Sequence, residues 1–184
     1  MIAELDCHFW EQLLDRMEMQ KVIPVVGPGA ITFGRGEDML HPWLAEKVAA
    51  KCHLQFAANL PKSLQQVVDE QRRGGATYEE KRERLRLIHL YVFNVLTGSG
   101  VQPGVTLYRL ASIKDFQLFL TTSFDPLLAQ AVEATQPAAR PRDWVCAISF
   151  RDGFRDLPSS FGDLPYACVY HLLGKIRKAP DCAL

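Results

Sequence analysis

Apolar positions along this chain follow two rhythms. In the first they recur at three- and four-residue steps. Leu5, Phe9, Leu13, Leu14 and Met17 do so with Glu4, Glu11, Asp15 and Arg16 between them, which predicts an amphipathic first helix. The same spacing predicts a helix over 41–54, with Trp43, Leu44, Val48 and Cys52 on one side, and another over 63–73, with Leu64, Val67 and Val68 inward. Thr77 followed by Glu80 is a capping box, opening a long helix to about Leu96 whose buried stripe is Leu85, Ile88, Val92 and Val95. A short helix is expected over 105–113. A last one begins at Asp125-Pro126, where Asp125 can cap, Pro126 suits the first helical position, and Leu127, Leu128, Ala131 and Val132 repeat at helical spacing.

The second rhythm is the short unbroken apolar run, the composition of a strand buried on both faces of a parallel sheet. Residues 22–26, 116–120, 144–150 and 166–172 read this way, and Pro24 places the first run at a strand edge or where a ladder bond is not needed. Breaks fall at 59–62, Gly74-Gly75, 98–100 and 136–141, and 151–165 is polar and irregular. Strands alternating with helices predict an α/β fold, a Rossmann-like parallel sheet with helices on both faces. Residues 1–184 read as a single domain without internal repeat or linker. The Lys-rich stretch soon after His171 has the look of a domain boundary, so the expectation is the amino-terminal part of a longer protein.

Composition narrows the class. Hydrophobic residues make up 48% and charged residues 23%, as in ordinary soluble domains. Lys+Arg and Asp+Glu balance at 21 each, which gives no reason to expect nucleic acid or an acidic membrane surface as partner. The basic residues of 81–86 alternate with acidic ones, as on a solvated helix face. No apolar run reaches spanning length and no secretory leader is visible, so a cytoplasmic protein is expected. Five scattered cysteines with no Cys-x-x-Cys pair argue against a disulfide framework or a structural zinc site.

Candidate chemistry sits at strand ends. The first strand runs into Gly27-Pro28-Gly29-Ala30, a glycine-dense turn before a helix, suited to holding a phosphate on backbone amides. It departs from Gly-x-Gly-x-x-Gly at Thr32, and a turn needing positive φ would explain the glycines too. The central strand delivers Thr121-Thr122-Ser123-Phe124-Asp125, either a ligand corner or a well-capped turn between strand and helix. The last strand ends at His171, either a base or a core histidine bonded to a carbonyl. His8, His41, His53 and His89 fall in helical segments and carry no expected chemistry. In a parallel sheet the three ends share one edge, where amides, hydroxyls, a carboxylate and an imidazole would make a nucleotide site.

The order of a Gly-x-Gly turn, then Phe-Leu-Thr-Thr-Ser-Phe-Asp-Pro-Leu-Leu, then Val-Tyr-His-Leu-Leu-Gly resembles the SIR2-like (sirtuin-related) domains of bacterial anti-phage defence proteins. The resemblance runs from about Val22 to Gly174. It implies a domain that binds NAD and hydrolyses it to nicotinamide and ADP-ribose, with no metal required. By that likeness Gly27 and Gly29, with Pro28 and Ala30, approach the diphosphate. Thr121, Thr122, Phe124 and Gly174 complete the NAD-binding set, Ser123 and Asp125 face the nicotinamide ribose, and His171 is the base. The implied partners are NAD or ADP-ribose, carboxyl-terminal domains of the same protein or other defence components, and further copies in a homo-oligomer. Where the family has asparagine this chain has Ser123, and Pro28 and Ile31 replace its alanine and serine. Losing one transition-state hydrogen bond costs ~10²-fold or more in rate. A catalytically silent nucleotide-binding or oligomerisation module is therefore the alternative. The family's deacetylases carry a four-cysteine zinc module that this chain lacks, so deacetylation is not implied.

Overall fold

A computed structural model describes residues 7–34, 38–56, 63–75, 77–98, 100–135, 146–149 and 167–177. The readings made above for 59–62, 136–141 and 151–165, for Leu5, and for Trp144, Val145, Phe150 and Tyr166 lie outside them. Contacts divide the chain into two compact units, Met1–Gly27 with Leu107–Lys175, and Pro28–Thr106 with Ile176–Leu184.

The first unit holds the main sheet. Its strands β1 (Val25–Val26), β4 (Leu118–Thr121), β5 (Cys146–Ser149) and β6 (Cys168–His171) form a four-stranded sheet in the order β1-β4-β6-β5. Every pairing is parallel. The chain is thus mixed α/β with a parallel sheet, as the pattern predicts. β1 is shorter than expected and lies at the sheet's edge, where a proline can be tolerated because one side of the strand needs no ladder bond. Pro24 still contributes its carbonyl, which accepts from Leu120 N at 2.9 Å.

β4 and β6 are buried at three of four positions, in keeping with their unbroken apolar runs. Helix α6 (Leu127–Thr135) buries Leu127, Leu128, Ala131 and Val132, the four residues its spacing singled out. Phe116 meets Phe119 edge-on at 5.9 Å. Helix α1 (Cys7–Glu18) forms, but its stripe is poorly covered. Phe9, Trp10 and Leu14 are 44–56% exposed, because amphipathic spacing defines a face without guaranteeing something to bury it against.

In the second unit, α2 (Leu40–Lys51), α3 (Leu64–Arg73) and α4 (Tyr78–Gly98) pack on one another around Leu44, Val48, Val67, Ile88, Val92 and Leu96. Ser63 caps α3 by accepting from Gln66 N at 3.3 Å. The capping box of α4 closes both ways, Glu80 N to Thr77 Oγ1 at 3.2 Å and Thr77 N to Glu80 Oε2 at 3.3 Å. α2 stops at Lys51, before the predicted end, and His53 turns the chain at φ 55° instead of extending the helix. Two-residue strands β2 (Thr32–Phe33) and β3 (Asp38–Met39) pair antiparallel between the 27–30 turn and α2. Short helix α5 (Val105–Ala111) leads towards β4.

Among the described residues no helix is long and apolar enough to cross a membrane.

Candidate functional site

Register sets the geometry. Val26 pairs with Thr121, Thr121 with His171, and His171 with Ser149, so the last rung of each strand lies at one level of the sheet. This rung is at the carboxyl ends, the side on which open α/β sheets take ligands. A cavity of about 10 Å³ at the other end, lined by residues including Ile23, Gln117 and Leu118, has room for one water and none for a nucleotide.

Beyond the rung, β4 turns into α6 through a closed polar network. Ser123 Oγ donates to Asp125 Oδ2, and Asp125 Oδ1 accepts from Leu127 N at 3.0 Å. Asp125 therefore caps α6 and partners Ser123 at once. Thr121, Ser123, Asp125 and His171 are each 1% exposed. Buried polar groups persist only when bonded, and this corner meets that condition largely from its own side chains. Thr122 and Phe124 are half-buried beside it.

His171 Nδ1 lies 2.9 Å from the carbonyl oxygen of Ser123. A carbonyl has no proton to give, so Nδ1 is the protonated nitrogen and Nε2 carries the lone pair. Burial pushes the imidazole below its ordinary value of 6.5. The Ser123 hydrogen bond and the charge of Asp125 pull the other way, and the Lys175 ammonium adds to the lowering. At neutral pH the ring is an uncharged base. Lys175 has no part in any motif read from the sequence, and only its field on His171 marks it.

The glycines divide by cause. Gly174 has φ 91°, a conformation that side chains rarely adopt, and its N–H closes a turn onto His171 O at 3.3 Å. Turn geometry alone accounts for it. Gly27 and Gly29 have no such φ, so the positive-φ explanation fails for both. A methyl group at Gly27 would touch Thr122 Oγ1 at an ordinary 3.8 Å, and among the described residues one at Gly29 would meet nothing within 4 Å. Packing among the described residues does not require glycine at either place. Pro28, Gly29 and Ala30 form an exposed turn of 3-10 helix belonging to the second unit, whereas Gly27 belongs to the first.

The first unit thus brings Gly27, the 121–125 corner, His171 and Gly174 to one edge. Compared with protein-family models, with curated proteins and with solved structures, the chain matches none.

Proposed function

We propose that the carboxyl edge of the parallel sheet is an NAD site, and that the chain is a Rossmann-like, SIR2-like domain that cleaves the nicotinamide–ribose bond in anti-phage defence. The observation carrying this reading is His171. It is a neutral imidazole on the same rung as Thr121 and Val26, donating from Nδ1 and basic at Nε2. Cleavage breaks the bond between C1′ of the ribose and the pyridinium nitrogen, and nicotinamide leaves with the electron pair. Nε2 of His171 takes a proton from the water that adds to C1′. The ribosyl cation formed on the way needs a site that admits one water and few other nucleophiles, which suits a desolvated corner. Gly27 leaves room for the diphosphate beside its backbone amide.

A second reading has its own observation. The Ser123 hydroxyl is committed to Asp125, and both are as buried as His171, so none of the three meets a ribose unless the corner opens. This favours a silent module that binds nucleotide without turning it over.

Incubation of the purified chain with NAD separates the two. Nicotinamide release that is abolished by His171→Ala supports the enzyme. Tight binding of NAD or ADP-ribose with equal background release from wild type and variant supports the silent module.

A further inference from the structure

We infer that Thr121 is a positioning residue, joining the three strand ends and fixing the orientation of His171 through the Ser123 peptide, rather than a residue that touches ligand. Its hydroxyl donates to Val26 O at 3.0 Å, tying the end of β4 to the end of β1. The same oxygen accepts from Ser123 N at 3.0 Å. Its carbonyl accepts from Leu172 N at 2.8 Å, in the residue directly after His171. Thr121 is 1% exposed, so its hydroxyl is spent on backbone.

The consequence passes through one residue, from the amide on one side of its Cα to the carbonyl on the other. Ser123 N is held by Thr121, and Ser123 O holds His171 Nδ1 at 2.9 Å. With both ends of residue 123 engaged, its carbonyl points at the imidazole in one direction and selects the Nδ1–H form. An imidazole in water prefers its proton on Nε2, so this selection has to come from the protein. Releasing Ser123 N lets the 122–124 backbone tilt, and the imidazole loses the acceptor that orients it. Thr122 N also donates to Val26 O, at 3.1 Å, so removing the Thr121 hydroxyl leaves that carbonyl bonded.

The catalytic consequence rests on the NAD-cleaving reading above, but the positioning claim does not, because it can be read without substrate. ¹⁵N chemical shifts of the His171 ring distinguish the two tautomers directly. In the wild-type chain Nδ1 is expected to be protonated and Nε2 not, and the opposite assignment overturns the inference whatever the variants do. Thr121→Val, which keeps shape and removes the hydroxyl, is expected to give a mixed or reversed tautomer. Thr121→Ser, which keeps both hydrogen bonds, is expected to restore the wild-type shifts. A folded Thr121→Val chain with wild-type ring shifts would reduce Thr121 to a packing residue. Should Thr121→Val not fold, Thr121→Ala is read in the same way. If wild type releases nicotinamide, Thr121→Val is expected to lower kcat ~10-fold with KM little changed, the mark of a misaligned base. Absence of release with the tautomer pattern as expected would sink the enzymatic reading and leave the positioning role standing.

Discussion

A buried neutral histidine makes stability depend on pH in one direction. The folded value of His171 lies below the 6.5 of the free side chain, so the unfolded chain binds its proton first as pH falls. Its contribution is fully present above the unfolded value and is lost as pH drops from there to the folded one. Urea midpoints are expected to be level above about pH 7 and to fall below it, with His171→Gln removing that component. The glycines offer a second residue-scale contrast. Gly174→Ala forces φ 91° on a side chain and is expected to cost about 1–2 kcal/mol. Gly27→Ala is expected to change stability by less than ~0.5 kcal/mol, since the new methyl would meet Thr122 Oγ1 at an ordinary 3.8 Å, while weakening NAD binding. Which residues stand at the strand ends was legible in the sequence, because strand runs and turn residues are local signals. That Ser123 and Asp125 satisfy each other, and that Thr121 bonds to Val26, was not legible. Those contacts depend on where side chains and distant backbone meet.

Among the elements, the β4–α6 corner was the most legible, since a bulky run followed by Asp-Pro and helical spacing admits one local solution. Asp125→Ala removes the cap and the partner of a buried hydroxyl together, and is expected to cost about 3 kcal/mol, measured by denaturant unfolding. Thr77→Ala, in an exposed capping box, is expected to cost only about 1 kcal/mol in the same measurement. The β2–β3 hairpin escaped the sequence because two-residue strands have no period to detect. The extent to which α1 is covered escaped it too, for periodicity reports which face is apolar and says nothing about what lies opposite.

For the molecule as a whole, the alternation of strand and helix foretold a parallel sheet but not its interruption. β1 and β4 pair although their bonded residues Val26 and Thr121 stand 95 apart in sequence, with most of the second unit between them. Such a contact carries a closure entropy that grows slowly with the length of chain between its ends. A ligand that binds only the folded edge stabilises the whole chain. NAD at about a hundred times its Kd is expected to raise the Tm by about 5–10 °C, and by less in Gly27→Ala. The most direct test of the strand-edge site is a crystal structure with NAD bound. The expected result is a nicotinamide ribose within about 3 Å of His171 Nε2, with its diphosphate beside Gly27 at the end of β1. NAD bound elsewhere, or packed side chains filling the space next to Nε2 in the NAD-soaked crystal, would contradict it.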